Sequence, residues 1–235
     1  LCRPRTRRQW RSPDKTPAER GTLAPATPRG HSAAVQLAAP AILIAARPHG
    51  ETAVIVRLLT EEAGVIAAYV AGGRGRQLRP VVIPGNAVAA DIRARSDSQL
   101  PYARLELVAS RAPWLAEPLP AAAIGWITAL AAATLPERHP YPALYAALGG
   151  LLDAITAAPS ARGWAGALVA YEVLVLRELG YGAASAARPD VPDVATALAW
   201  LDRLETPIAT RLLAHTNADV MGARVLLRER LGRMA

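Results

Sequence analysis

The chain has 235 residues, which is enough for one large domain or two modest ones, and its single cysteine, Cys2, excludes an internal disulfide framework and a thiolate zinc site. No stretch reaches the roughly eighteen uninterrupted apolar residues that span a bilayer, which predicts a soluble, cytoplasmic protein. The net charge of +8 is uneven: residues 1–36 carry +6, residues 37–111 carry +3 and residues 112–235 carry −1. This asymmetry is typical of proteins that bind nucleic acids or other anionic surfaces.

The first 37 residues combine arginines with five prolines and show no apolar periodicity, so we expect residues 1–37 to be a disordered basic leader. The chain begins with Leu1 rather than methionine, which we interpret as translation upstream of a mis-assigned start. A transit peptide is the alternative, although the prolines disfavour the amphipathic helix of such peptides.

Residues 38–112 show the alternation and the turn signals of short β-strands. In the last two predicted strands apolar side chains alternate with charged ones, which gives each strand one apolar face and one solvent-exposed face. The predicted strands cover residues 41–47, 51–60, 65–71, 87–95 and 102–110. Five short strands over about seventy residues predict an OB-like β-barrel.

A glycine-rich segment, residues 72–80, joins the third and fourth predicted strands and is called the basic loop below. It carries Arg74, Arg76 and Arg79 with almost no bulky side chains between them. Guanidinium groups pair bidentately with phosphate, and glycine lets a nucleic-acid strand approach the backbone, so we interpret the loop as a phosphate contact. The alternative is a flexible, solvated loop whose arginines favour solubility. Four further arginines either extend this surface or simply lie on the solvent-exposed face of the barrel: Arg57, Arg93, Arg95 and Arg104.

Aromatic side chains are few in the predicted barrel, where only Tyr69 and Tyr102 fall. Base stacking on aromatic rings is usual where OB folds hold single strands tightly, so we expect stacking to be sparse here. Binding is then mainly electrostatic, salt-dependent and indifferent to sequence, which suits a strand annealer.

Residues 113–235 change to a helical period after a proline-rich boundary. The third predicted helix carries Trp164, Tyr171 and Val175 on one apolar stripe, and we expect these three side chains in the core. The predicted helices cover residues 121–135, 143–157, 163–179, 194–204, 207–215 and 220–233.

Three segments in this order resemble the bacterial recombination mediators of the RecO family. Residues 47–64, with Arg-Pro-His-Gly-Glu and Thr-Glu-Glu-Ala-Gly, are similar to the opening of that family and lead into the basic loop. Residues 171–182 contain Leu-Gly-Tyr and are similar to its central helix, and residues 223–227 are similar to its C-terminal helix. The resemblance runs from about residue 40 to residue 232.

The resemblance implies an α+β multidomain protein, with an N-terminal OB-like five-stranded barrel over residues 38–112 and an all-α helical domain over residues 113–235. Members bind single- and double-stranded DNA, anneal complementary strands, and work with RecR and single-strand-binding protein to load recombinase. The helical domain of the family receives the acidic, hydrophobic C-terminal tail of single-strand-binding protein. Candidate cations for that tail are Arg177, Arg224 and Arg228, of which the last two are one turn apart on one helix face.

The chain departs from the family after Leu-Gly-Tyr, where many members carry a four-cysteine zinc module. Residues 182–194 contain no cysteine, so zinc is not carried over, and we predict neither another metal nor a cofactor.

These patterns favour a non-catalytic DNA-binding mediator over an enzyme. The four histidines are scattered without metal-ligand spacing, and the basic loop lacks the Gly-Lys-Ser/Thr end of a P-loop. An enzyme would need a cleft with convergent polar groups that the sequence does not indicate. The alternative from another class is a protein-interaction adaptor, whose barrel contacts an acidic protein surface and whose nucleic-acid affinity is incidental.

Overall fold

The computed structural model describes residues 35–94, 96, 99–158, 160–182, 189–216 and 219–234, and these belong to one compact unit. The first strand begins at Val35, inside the segment that was expected to be a leader up to residue 37. The rest of that leader, residues 1–34, lies outside the described residues.

The N-terminal part is a closed five-stranded β-barrel with the strand order β1-β2-β3-β5-β4. Its strands are β1 (Val35–His49), β2 (Ala53–Thr60), β3 (Gly64–Val70), β4 (Ala87–Ala94) and β5 (Tyr102–Ala109). Neighbouring strands pair antiparallel, except β3 and β5, which meet in parallel at Tyr69 and Tyr102. The prediction of an OB-like barrel followed by helices is confirmed.

Strand β1 is longer than predicted because it serves two neighbours. Residues 35–42 pair with β4, and residues 41–49 pair with β2. Pro40 argues against a strand in the sequence, since proline cannot donate to a ladder, yet it lies within β1 opposite Ala89 of β4. Residues 48–50 lie between the first two predicted strands, and the turn lies slightly later, where Gly50 takes the left-handed φ of 61°.

Among the residues that the structure describes, five α-helices follow the barrel: α1 (Pro118–Thr134), α2 (Pro142–Ala157), α3 (Ala165–Glu178), α4 (Val194–Pro207) and α5 (Met221–Gly232). The separate helix predicted over residues 207–215 is wrong. Helix α4 continues through Pro207 into a single π-helical turn, Ile208–Leu212, after which the Leu213 N–H donates to the Ile208 carbonyl at 3.0 Å. A proline cannot make the helical hydrogen bond, and such irregular turns accommodate the break.

In the described part of the chain, buried apolar side chains form one core inside the barrel and another among the helices. The predicted core residues Trp164, Tyr171 and Val175 are all buried in the helical core, which confirms that expectation. Four barrel side chains also belong to the helical core: Ile42, Ile44, Leu59 and Val65. Shared burial of apolar area therefore joins the barrel to the helices. No helix in the described part of the chain is long and apolar enough to cross a membrane.

Candidate nucleic-acid interface

The basic loop packs against one end of the barrel. Leu78 is half-buried and Val81, immediately after the loop, is buried, and both side chains join the barrel core. A Cβ on Gly73 would lie 2.4 Å from Cγ2 of Val54, so only glycine lets the loop backbone approach the barrel this closely. The basic loop is therefore packed against the barrel and does not extend freely into solvent.

Hydrogen bonds fix the basic loop to the turn between β1 and β2. The Arg74 N–H donates to the Thr52 carbonyl at 2.9 Å, and Nη1 of the same arginine donates to the Gly50 carbonyl at 3.2 Å. Further along, the Arg79 N–H donates to the Gly75 carbonyl at 2.9 Å. All three arginines of the basic loop are exposed, so their charges project from a hydrogen-bonded frame into solvent.

Asn86 anchors the end of this region and is a residue that the sequence analysis did not single out. Its side chain is fully buried, and Nδ2 donates to the carbonyls of Pro80 at 2.9 Å and Val81 at 3.0 Å. Its Oδ1 accepts from the Arg111 N–H at 2.8 Å. A buried asparagine that satisfies three backbone groups has no distinctive sequence signal, because turn asparagines have the same neighbours.

Arg57 does not join the basic loop. Its Nη1 lies 3.0 Å from Oε1 of Glu137, in the connection between α1 and α2, and its Nη2 donates to the Leu135 carbonyl at 3.3 Å. The structure therefore places this arginine at the contact between the barrel and the helices. Arg95 lies outside the described residues.

Arg93 and Arg104 lie on the outer face of the barrel, on β4 and β5. Arg93 Nη2 is 2.7 Å from Oδ2 of Asp91, and Arg104 is opposite Asp91 in the β4–β5 register. The hydrogen bond from Arg93 holds the pKa of the Asp91 carboxyl below its usual range. With Glu106 also exposed on β5, this face carries two cations and two anions. The positive excess therefore lies on the basic loop.

Three aromatic rings lie in a row on the outer surface at the same end of the barrel. The ring centroids of His49 and Tyr69 are 5.8 Å apart at an interplanar angle of 88°. Those of Tyr69 and Tyr102 are also 5.8 Å apart, at 42°. These residues lie on three different strands; the pairing of β3 with β5 places Tyr69 next to Tyr102, and the successive pairing of β1, β2 and β3 brings His49 to the same surface.

Of the three arginines predicted to bind the tail of single-strand-binding protein, one is buried and two are exposed. Arg224 is only 2% exposed and its guanidinium pairs with Glu172, so it is a core residue and the expectation of a surface cation is wrong. The reason is that α5 turns this position toward α3, while Arg228 one turn later is exposed and donates to Asp202 at 3.0 Å. Arg177 is exposed and pairs with the adjacent Glu178 at 3.1 Å.

A cavity of about 600 Å³ opens on the helical part, and none of these three arginines lines it. Trp114, Ile155 and Trp164 contribute apolar walls, and Arg230 and Arg233 near the end of α5 contribute positive charge. Arg230 also donates to the carbonyl of Pro118, which holds its guanidinium at the cavity. Among the residues that the structure describes, no group of three or more His, Cys, Asp or Glu side chains is placed to hold a metal ion.

Comparison with known proteins identifies relatives of similar sequence. The DNA repair protein RecO of Rhodospirillum centenum is 45% identical over 143 residues, which cover 60% of this chain and 56% of that protein. The RecO proteins of Phenylobacterium zucineum and Rhodospirillum rubrum are 41% and 42% identical, over 60% of this chain in each case and over 58% and 57% of their own lengths. The chain thus spans little more than half the length of the curated relatives it matches.

Two family models match consecutive parts of the chain. The N-terminal model of recombination protein O matches residues 35–111, which coincide with the barrel, and the C-terminal model matches residues 118–187, which begin with α1. The two models describe one family and together cover more than half of the chain. The chain belongs to the recombination protein O family.

Proposed function

We propose that this protein binds DNA through the basic loop and the barrel surface around it, and acts as a non-catalytic mediator of DNA repair and recombination. In this proposal it anneals single strands and helps to load recombinase together with RecR and single-strand-binding protein, in the cytoplasm where bacterial DNA is found. The observation that carries the proposal is the set of three exposed arginines on a loop that hydrogen bonds and a buried glycine hold in place. Membership of the family supports it.

Electrostatics gives this arrangement a way to promote annealing. Two single strands repel each other through their phosphates, and cations held at fixed positions lower that repulsion by neutralising both backbones at once. Arg74, Arg76 and Arg79 are suited to this task because guanidinium pairs bidentately with phosphate oxygens. Their backbone frame is already hydrogen-bonded, so less conformational entropy is lost on binding.

A salt titration of DNA binding tests this role. We compare the full chain with the double variant Arg74→Ala/Arg76→Ala on a fluorescent 30-nucleotide single strand, by anisotropy at several salt concentrations. We expect the slope of log affinity against log salt to flatten by about one to two, since each lost phosphate contact lowers it by a little under one. The double variant Arg162→Ala/Arg211→Ala removes the same charge from exposed helical positions and is the control. Equal slopes in all three proteins would remove the basic loop from the DNA surface.

A truncated chain that begins at residue 35 distinguishes the mediator from the adaptor. If the truncated chain binds the single strand and salt weakens the binding, the affinity resides in the barrel. If only the full chain binds, the basic leader produces the affinity, and an adaptor that binds an acidic protein surface becomes the better description.

We further infer that the cavity on the helical part, rather than Arg177 or Arg228, receives the C-terminal tail of single-strand-binding protein. An acidic, hydrophobic peptide needs an apolar pocket next to a cation, and Trp114 and Trp164 lie in the same cavity as Arg230 and Arg233. The exposed guanidiniums of Arg177 and Arg228 already pair with carboxylates of this chain.

A further inference from the structure

We propose that Tyr69 and Tyr102, with His49 beside them, form an aromatic platform on which unpaired bases of a single strand stack. This proposal rests on the proposed DNA binding and adds to it a means of distinguishing single strands from duplex. The prediction of sparse stacking treated the two tyrosines as separate residues. In the folded barrel their ring centroids lie 5.8 Å apart.

The backbone holds the two tyrosines in place. Strands β3 and β5 meet in register at Tyr69 and Tyr102, and the Tyr69 N–H donates to the Pro101 carbonyl at 2.7 Å. Both side chains lie on the outer face, since their strand neighbours Ala68 and Ala103 are buried in the barrel core. The platform is therefore mounted on paired strands rather than on a flexible loop.

The Tyr102 ring remains available to a ligand, and the Tyr69 ring beside it is half-buried. Tyr102 is 43% exposed, although a tyrosine that only closed the barrel would be expected to bury most of its area. The rings of Tyr69 and Tyr102 are tilted by 42°, and His49 meets Tyr69 edge-on at 88°, so neither contact is a parallel stack. A base has a flat π-face that an exposed aromatic ring can accept whatever the sequence.

Cations flank the platform where the sugar-phosphate backbone of a bound strand would run. Arg93 is the register partner of Tyr102, and Arg104 is the next outward residue along β5. On the other side, Arg74 donates to the Gly50 carbonyl in the turn directly after His49. Aromatic rings bordered by basic side chains are the pattern by which proteins hold single strands, and in OB folds this surface and the adjoining loops bind oligonucleotides.

The alternative, purely structural interpretation is that the tyrosines are a cross-strand aromatic pair that stabilises the sheet. That role explains the contact between the rings, but it gives no reason for the exposure of Tyr102 or for the arginines beside it. The two interpretations differ in one measurable respect. Only a stacking platform responds to whether the bound strand carries bases.

The platform has a consequence for annealing. Bases within a duplex are stacked and paired, so they offer phosphates to the basic loop but no free face to the tyrosines. Unpaired bases gain both contacts. The protein should therefore hold single strands more tightly than the duplex that they form, which favours release of the annealed product.

The test uses the full chain and two probes with the same number of phosphates. One is a 30-nucleotide thymidine strand, and the other is the same strand with its central ten bases replaced by abasic sites. We expect the intact strand to bind about 5- to 100-fold more tightly at a fixed salt concentration, the range that base stacking on aromatic side chains produces. Tyr102→Leu should bring this ratio towards one, and Tyr102→Phe should preserve it because the phenol hydroxyl is not needed for stacking.

Tyr181→Leu is the matched control, because Tyr181 is also 43% exposed but follows α3 in the helical part of the chain. It should leave the ratio unchanged, and thermal melting verifies that each variant is folded. Equal binding of the two strands by the unmodified protein, with salt dependence retained, overturns the platform and leaves the proposed DNA binding intact. A Tyr102→Leu variant that weakens both strands equally also overturns it. Absence of DNA binding overturns the platform and the proposed function together.

Discussion

Arg224 and Glu172 form an ion pair inside the helical core, with Nη2 of the arginine 2.8 Å from Oε2 of the glutamate and neither side chain more than 2% exposed. The Trp126 indole donates to Oε1 of Glu172 at 2.8 Å, and Arg224 also donates to the Leu201 carbonyl at 2.7 Å. The network thus links α1, α3, α4 and α5 through groups that are fully desolvated.

Removing one partner of this pair should destabilise the protein strongly. Arg224→Ala leaves the Glu172 carboxylate buried without its counter-charge, and we expect the free energy of unfolding to fall by roughly 3 to 5 kcal/mol. Urea denaturation followed by circular dichroism measures the change. The double variant Arg224→Met/Glu172→Met should lose less than the sum of its single variants, since no buried charge then remains. Arg228→Ala removes an exposed cation from the same helix and should leave the midpoint nearly unchanged.

Asn86→Ala should destabilise the barrel and loosen the basic loop. The variant leaves the carbonyls of Pro80 and Val81 and the N–H of Arg111 without their partner, which we expect to cost roughly 2 to 4 kcal/mol of unfolding free energy. Urea denaturation gives the loss, and the slope of DNA affinity against salt should also become less steep. Gln77→Ala removes an exposed amide from the basic loop itself and is the control. Equal stability of the two variants would contradict an anchoring role for Asn86.

Asp91→Asn should strengthen single-strand binding. Asp91 forms a 2.7 Å ion pair with Arg93 and lies opposite Arg104. Removing the carboxylate charge of Asp91 therefore leaves these guanidinium charges free to bind phosphate beside the aromatic platform. We expect a steeper salt dependence, by up to about one in the slope. Glu62→Gln makes the same charge change in the turn between β2 and β3, and equal strengthening by both variants would mean that net charge alone is responsible.

The effect of Asp91 on DNA binding should not depend on pH near neutrality. Its pKa is lowered in the folded protein by the hydrogen bond from Arg93, so the carboxylate is charged throughout the neutral range. The stabilising contribution of a group with a lowered pKa is present above its ordinary value of 3.8 and is lost as the pH falls through the lowered pKa. The difference in DNA affinity between the Asp91→Asn variant and the unmodified protein should therefore be the same at pH 6 and at pH 8.

Arg233→Glu should weaken binding of an acidic, hydrophobic peptide with the composition of a single-strand-binding protein tail. The substitution reverses an exposed charge at the cavity while leaving Arg230 bonded to the Pro118 carbonyl. We expect at least a tenfold loss of affinity, measured by fluorescence polarisation of the labelled peptide, on the scale of a charge-assisted contact. Arg228→Glu tests the other position on α5. A larger loss from that variant would place the peptide outside the cavity.

The pattern of residue types along the chain was sufficient to predict the order of the strands and helices and most of their types. Alternating apolar positions predicted the strands, a helical period after residue 113 predicted the helical part, and the glycines and arginines of the basic loop indicated an exposed cationic connection. These features depend on neighbouring residues along the chain. The same reasoning began the first strand at residue 41, after Pro40, and began a separate helix at Pro207. Strand β1 instead runs through Pro40 because it pairs with β4, and α4 continues through Pro207 into a π-helical turn.

The sequence by itself determined the fold class, the family and the basic loop, because each depends on residue types at short separations. Tertiary structure alone decided which arginines face solvent: Arg224 is buried against Glu172, 52 residues away, whereas Arg228 one turn later is exposed. It also decided that Tyr69 and Tyr102 lie side by side, since closure of the barrel sets that distance. Burial and long-range pairing arise from packing between distant segments, and no local pattern in one sequence encodes them.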